Sequence, residues 1–92
     1  MAWKIELSGL AQKNLAQLDP PATKRILSFL YERVGHLDNP RSIGEALKGS
    51  RLGEFWKYRV GDYRIICTIE DAALCILVVR IGNRREVYKK RN

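Results

Sequence analysis

Apolar and polar residues alternate most regularly over residues 55–69, and this pattern predicts two β-strands joined by a tight turn. Gly61-Asp62 separates the two runs, and glycine supplies the positive φ that a two-residue hairpin turn requires. Counting outward from this turn places Arg59 opposite Arg64. Because side chains alternate between faces, one face collects Trp56, Tyr58, Val60, Tyr63, Ile65, Cys67 and Ile69, and the other carries Lys57, Arg59 and Arg64.

The cationic face of this hairpin needs a physical explanation. Like charges directly opposite each other on neighbouring strands are destabilising, so Arg59 beside Arg64 lowers stability unless an anion lies between them. The alternative is a solvated basic face with splayed side chains. The sequence of the hairpin leaves both interpretations open.

The first half of the chain predicts a strand and a helical hairpin. Residues 2–7 alternate as a half-buried strand, and Ser8 is a suitable N-cap for the helix that follows. Asp19-Pro20-Pro21 ends this helix and begins a second one. Residues 41–52 form a polar connector, with a short helical turn expected over 43–47. The predicted core positions of the helices are Leu10, Ala11, Leu15 and Leu18, then Ile26, Leu27, Leu30, Tyr31, Val34 and Leu37.

The last apolar run, residues 74–81, predicts an inner strand that is covered on both faces. A three-residue loop over 71–73 pairs Glu70 with Leu74 and Arg64 with Arg80, which puts Arg80 on the cationic face. Gly82 and Arg84 follow on that face unless a bulge intervenes. The element order predicts an α+β fold in one domain of residues 1–92: an N-terminal strand, a helical hairpin and a three-stranded antiparallel meander. We expect one antiparallel sheet with the helices packed on one face.

The positive charge is concentrated in the second half of the 92-residue chain. Residues 1–46 hold six Lys or Arg against five acids, and residues 47–92 hold eleven against five, within a net charge of +7. A basic half of this kind indicates a polyanionic partner, either a nucleic acid or an acidic protein. No membrane-spanning run or signal peptide is evident, so we expect a cytoplasmic protein without a membrane partner.

Few residues are suited to metal or thiol chemistry. His36 stands alone and the two cysteines lack the spacing of a zinc site, so we expect no metal and no cofactor. Cys67 and Cys75 lie in neighbouring predicted strands, offset from each other and among apolar residues. Buried free thiols are therefore favoured over a disulfide.

Three motifs in this order resemble the RelE/ParE toxin superfamily of type II toxin–antitoxin modules: Leu47-Lys48-Gly49, Gly61-Asp62-Tyr63-Arg64 and the stretch 81–88. The resemblance covers nearly the whole chain. It implies one of two activities, since RelE-like members cleave mRNA in the ribosomal A site and ParE-like members inhibit DNA gyrase. ParE-like members usually lack the C-terminal Arg and Tyr, so Arg84 and Tyr88 favour the RelE branch. The alternatives are a gyrase inhibitor or a module that only sequesters its antitoxin.

The resemblance also implies the site residues. The catalytic positions correspond to Lys57, Arg59, Arg64, Arg84 and Tyr88, although RelE has Lys where this chain has Arg59. We expect the neighbouring cations to bind RNA, namely Arg80, Arg85, Lys89 and Lys90. The implied partners are the ribosome with its mRNA and an acidic, partly disordered antitoxin that forms a hetero-oligomer with the toxin.

RNA can be cleaved without metal when its own 2′-OH attacks the adjacent phosphorus. The transition state gathers negative charge on the phosphoryl oxygens, and Arg64 with Arg59 is suited to clamp them. Arg84 is a further phosphate ligand or a proton donor. Tyr88 stacks on a base or hydrogen-bonds it, or else anchors the C-terminus to the core. Lys57, whose neutral form is favoured by neighbouring cations, is the first candidate for the general base, and Tyr88 is the second.

Overall fold

A five-stranded sheet with helices on one face forms the framework of the protein. The computed structural model describes residues 2–47 and 55–83. In chain order the elements are β1 (Lys4–Leu7), α1 (Gly9–Ala16), α2 (Pro20–Ser28), a π-helical turn (Phe29–Arg33), 3-10 turns at Val34–His36 and Pro40–Ser42, β2 (Glu45–Ala46), β3 (Phe55–Val60), β4 (Tyr63–Glu70), a 3-10 turn (Asp71–Ala73) and β5 (Cys75–Asn83). The predicted α+β class is confirmed.

The strand order is β1-β5-β4-β3-β2, and every pair is antiparallel except β1 with β5. The expectation of a purely antiparallel sheet was therefore wrong. The apolar strand β5 is flanked on both edges because β1 pairs with it in parallel, in the register Lys4↔Cys75 to Leu7↔Val78. The alternation of residues 2–7 predicts a strand but carries no information about its direction.

Both helices begin where the sequence predicts. The Ser8 hydroxyl accepts a hydrogen bond from the Ala11 amide at 3.0 Å and donates one to the Val79 carbonyl at 3.0 Å. Asp19 is the N-cap of α2, although its side chain makes no capping hydrogen bond. Two predicted core positions are wrong, since Leu10 and Tyr31 are 50% and 48% exposed. The described core is formed by Trp3, Ala11, Leu15, Ile26, Leu30, Val34, Tyr58, Ile65, Cys67, Ile76, Val78 and Ile81.

The β3–β4 hairpin has the predicted register, with Val60 opposite Tyr63 and Arg59 opposite Arg64. Gly61 has the positive φ that its turn requires, +59°. The seven residues assigned to the apolar face are buried in the core or packed partly buried against it. The turn and the alternation therefore sufficed to predict this element.

The predicted register between β4 and β5 was wrong by two residues at Arg64, which lies opposite Gly82 rather than Arg80. Leu74 adopts a left-handed conformation with φ +48°, so the loop contains four residues and Glu70 pairs with Cys75. A bulge between Ile66 and Cys67 adds the second shift. A one-residue shift in register moves the side chains of a strand to the other face of the sheet, and a second one-residue shift moves them back. Arg80 therefore still lies on the cationic face, opposite Ile66.

The connector contains a short strand, β2, where a helical turn was predicted. The indole Nε1 of Trp56 donates a hydrogen bond to the Ile43 carbonyl at 2.8 Å, and Glu45 pairs with Lys57. Gly44 lies between them with φ +80°, and a Cβ added there would approach the Lys57 carbonyl oxygen to 2.5 Å. This approach of β2 to β3 therefore requires glycine at position 44.

Two further expectations concern the thiols and membrane helices. Cys67 and Cys75 are both free and buried, as predicted. In the described ranges, no helix has the length and apolarity needed to cross a membrane.

Candidate functional site: a basic cleft at the edge of β3

A cleft of about 600 Å³ opens beside the second half of β3. Among the described residues, strand β2 pairs with β3 at Trp56 and Lys57, and the cleft lies beyond Lys57, where this ladder ends. One wall comes from the sheet and the other from the π-helical turn. The lining residues are Phe29, Arg33, Ile43, Gly44, Glu45, Lys57, Tyr58, Arg59 and Arg64.

Arg64 is the buried cation of this cleft, with only 7% of its surface exposed. It lies between Arg59 on β3 and Gly82 on β5, and the glycine contributes no side chain that would cover it. Within residues 2–47 and 55–83, no hydrogen bond or ion pair reaches its guanidinium. The guanidinium nitrogens of Arg64 are not among the fully buried, unpartnered atoms of the described residues, so the charge reaches the cleft, where it is suited to an anionic ligand. Arg59 is exposed, so the solvated interpretation of the basic face holds only for Arg59.

Lys57 and Glu45 face each other across β2 and β3. The Lys57 ammonium lies 3.4 Å from a Glu45 carboxylate oxygen, and the two side chains are 21% and 65% exposed. The nearby carboxylate favours the charged ammonium over the neutral amine that a general base needs. Sequence reasoning missed Glu45 because residues 43–47 were interpreted as a helical turn. As a strand, the same residues place Glu45 beside Lys57.

Arg33 was also missed as a site residue. It is not among the predicted core positions of the second helix, and it is indeed exposed, but the π-helical turn places it in the wall of the cleft. Its Cζ lies 5.9 Å from the centre of the Phe29 ring. The cleft therefore holds four cationic side chains and one carboxylate among its described lining residues, which strongly favours an anion.

Two further ionisable side chains of the hairpin are buried in the core, namely Tyr58, which also lines the cleft, and Cys67. The Tyr58 hydroxyl donates a 2.6 Å hydrogen bond to the Pro40 carbonyl, and burial raises the pKa of Tyr58 above its usual range. Burial also raises the pKa of the Cys67 thiol to about 12. Neither group is therefore suited to proton transfer near neutral pH.

The structure brings together three of the predicted site residues, Lys57, Arg59 and Arg64. Arg80 shares their sheet face but does not line the cleft. The remaining predicted residues lie outside the described residues, namely Arg84, Arg85, Tyr88, Lys89 and Lys90. Across the described ranges, no group of three or more His, Cys, Asp or Glu side chains is arranged to hold a metal ion.

A family model of type II toxins matches most of the chain. Residues 5–88 match the family model described as "ParE toxin of type II toxin-antitoxin system, parDE". The chain therefore belongs to this family, and the resemblance to the RelE/ParE superfamily is confirmed.

Curated relatives and solved structures agree with this assignment. The chain is 22% identical to Toxin RelG of Mycobacterium tuberculosis over 90 residues, which cover 98% of this chain and 100% of RelG. It is 23% identical to Toxin RelE of the same organism over 87 residues, covering 95% and 87% of the two chains. Both relatives carry Rel names, and each is similar to this chain along most of its length.

Solved toxins share the fold. The RelBE2 toxin–antitoxin complex of M. tuberculosis contains a chain with a TM-score of 0.81 at 20% identity, covering 91% of this chain and 93% of that one. A chain of the archaeal RelE–RelB complex of Pyrococcus horikoshii has a TM-score of 0.71 at 23% identity, covering 91% of this chain and 97% of that one. The isolated E. coli RelE toxin has a TM-score of 0.68 at 16% identity, covering 99% of this chain and 88% of that one.

Proposed function

We propose that this toxin is a ribosome-dependent endoribonuclease that cleaves mRNA in the A site and thereby arrests translation. Arg64 carries the proposal: a nearly buried arginine, unpaired among the described residues, lies in a cleft whose cations outnumber its acids. Such a position is suited to the phosphoryl oxygens of RNA, where charge builds up during cleavage. Positive charge that exists before substrate binds needs no rearrangement in the transition state.

The proposed reaction uses the substrate's own nucleophile. The 2′-oxygen attacks the adjacent phosphorus, and the bond from phosphorus to the 5′-oxygen breaks. The products are a 2′,3′-cyclic phosphate and a 5′-hydroxyl. One proton leaves the 2′-OH and one reaches the departing oxygen, so the step requires neither metal nor cofactor.

The arginines supply the electrostatic part of this mechanism. Arg64 and Arg59, which are cross-strand partners, clamp the scissile phosphate through paired N–H donors. Arg84 is a further phosphate ligand and Tyr88 stacks on a neighbouring base, as the superfamily resemblance implies. Arg80, Arg85, Lys89 and Lys90 bind the RNA backbone beyond the cleft.

Glu45 changes the assignment of the general base. The sequence favoured Lys57, but a carboxylate 3.4 Å away favours its ammonium form. The ionised carboxylate of Glu45 can itself accept the 2′-OH proton, so we propose Glu45 as the base and Lys57 as the cation that holds it in place. Lys57 and Tyr88 remain the competing candidates.

The proposed partners follow from charge. A net charge of +7 is suited to ribosomal RNA and to an acidic antitoxin segment that orders on binding and covers the cleft. RelB–RelE complexes are known for structural neighbours of this chain, and we propose the same kind of hetero-oligomer here. With these partners, we propose that the protein acts in the cytoplasm.

Primer extension on an mRNA in a purified translating system tests the proposal. Wild type should make discrete cuts that depend on ribosomes. The Arg64→Ala/Arg84→Ala double variant should make none. Lys13→Ala, which removes an exposed cation of α1, is the control and should cut like wild type.

The ParE family model is the observation that favours a second candidate, inhibition of DNA gyrase. Intact mRNA with wild type, together with loss of gyrase supercoiling, would replace the nuclease with this activity. Cleavage of mRNA without any effect on supercoiling would exclude it.

A further inference from the structure

We propose that Arg33 binds an RNA backbone phosphate next to the scissile one, from the wall of the cleft that the π-helical turn forms. The RNA strand is thereby held between the helices and the sheet. This inference rests on the proposed function, because it assigns a further residue to the same cleft. Arg33 comes from the helical layer, whereas Lys57, Arg59 and Arg64 come from the sheet. A strand in the cleft would therefore meet cations on both walls.

Within the described part of the chain, no acidic group neutralises the charge of Arg33. No carboxylate there forms an ion pair or hydrogen bond with it, and the adjacent Glu32 accepts its hydrogen bond from the Ser28 hydroxyl at 2.9 Å instead. The side chain is exposed and so is accessible to a ligand. An arginine that lines a cleft and has no acidic partner among the described residues is suited to phosphate.

Aromatic contacts hold Arg33 in place. Its guanidinium carbon is 5.9 Å from the Phe29 ring centre, within the range of a cation–π contact. Phe29 in turn meets Tyr58 edge-on, with ring centres 5.8 Å apart and planes at 66°. Because a cation–π contact uses no N–H donor, the N–H groups of the guanidinium stay available for oxygen ligands.

The backbone that carries Arg33 is unusual. The helix passes from α-helical to π-helical at Phe29, and to a 3-10 turn after Arg33. Arg33 itself has φ −112° and ψ −62° at this second junction. π-Turns inside helices are rare overall, but those that occur are frequently found at functional sites. Here the turn contains both Arg33 and the Phe29 ring that contacts it.

The test measures RNA binding separately from cleavage. The probe is a single-stranded RNA oligonucleotide whose cleaved position carries 2′-deoxyribose, titrated at several salt concentrations. Loss of one phosphate contact reduces the slope of log affinity against log salt by about 0.7. Arg33→Gln should show this reduction and bind about three- to tenfold more weakly at low salt, whereas Arg33→Lys should keep the wild-type slope.

Lys24→Gln is the matched control, because Lys24 is an exposed cation of α2 that does not line the cleft. Its slope should equal that of wild type, and all variants should keep the wild-type urea midpoint. On programmed ribosomes, Arg33→Gln should raise the half-saturating toxin concentration and change the single-turnover maximum by less than about twofold.

Two results would overturn the inference: an unchanged salt slope in Arg33→Gln, or an equal loss in Lys24→Gln. If wild type binds the probe with the expected dependence on Arg33 but cuts no RNA, the nuclease proposal fails and the contact stands. If wild type binds no RNA at all, on or off the ribosome, both proposals fail.

Discussion

The two faces of the β3–β4 hairpin differ in the kind of side chain that they bury. On the helix-facing side, Tyr58, Ile65 and Cys67 are buried, and the Tyr58 hydroxyl has a partner in the Pro40 carbonyl. On the cleft side, Arg64 is almost equally buried, but no described residue pairs with its charge. Adjacent residues of one strand, Arg64 and Ile65, thus belong to very different environments.

This difference separates stability from function along a single strand. Apolar burial on the helix-facing side contributes directly to the free energy of unfolding. The cleft side keeps like charges close together, which lowers that free energy. A ligand that supplies the missing negative charge would relieve this repulsion, and this is the physical case for placing the proposed active site there.

The largest expected effect comes from replacing Arg64. Arg64→Met keeps an unbranched apolar stem but removes the charge, so ribosome-dependent cleavage should fall about 10²–10³-fold, the usual loss for one transition-state ligand. The free energy of unfolding should stay unchanged or rise, because an unpaired buried charge disappears. Primer extension and urea denaturation measure the two quantities.

The neighbouring residue provides the matched control. Ile65 is fully buried, so Ile65→Ala should lower the free energy of unfolding by about 2–5 kcal/mol while the folded fraction keeps its activity. If Arg64→Met lost stability and Ile65→Ala lost activity in its folded fraction, the contrast between the two faces would be refuted.

A smaller effect is expected for the hydrogen bond of Tyr58. Tyr58→Phe leaves the Pro40 carbonyl without its partner, and the free energy of unfolding should fall by about 1–2 kcal/mol. Tyr63→Phe is the control, because no described residue hydrogen-bonds the half-buried Tyr63 hydroxyl, and its stability should be near that of wild type. Equal losses in both variants would contradict the assigned role of the Tyr58 hydroxyl.

The smallest effect concerns Arg41, an arginine that is paired, in contrast to Arg64. Both of its terminal nitrogens donate to the Asp71 carboxylate at 3.0 Å, and this hydrogen bonding lowers the pKa of Asp71. A lowered carboxyl pKa stabilises the fold above the ordinary value of 3.8, and the stabilisation is lost as the pH falls through the lower folded value.

Asp71→Asn should therefore be less stable than wild type at pH 7, and the difference should shrink below about pH 4. Urea denaturation at several pH values measures it. Asp19→Asn, at a cap without a side-chain hydrogen bond, is the control. A difference between wild type and Asp71→Asn that persisted at low pH would exclude the ion pair as its cause.

The sequence predicted the features that depend on neighbouring residues, and it failed where a feature depends on residues that are distant along the chain. The β3–β4 pairing was predictable because a two-residue turn sets the register of its own strands. The β4–β5 register was wrong because it depended on the left-handed Leu74 and on a bulge, and neither leaves a signal in local alternation. Strand β2 escaped prediction because its pairing with β3 depends on the contact of Trp56 with Ile43, which are distant in sequence.

The sequence by itself determined the fold class, the helix starts and the cationic face with Lys57, Arg59 and Arg64, because local periodicity and turn chemistry specify these features. Only the tertiary structure decided that Arg64 is buried, that Glu45 pairs with Lys57, and that Arg33 lines the opposite wall. Burial and pairing are properties of residues brought together from separate elements, and no local pattern in the chain encodes them.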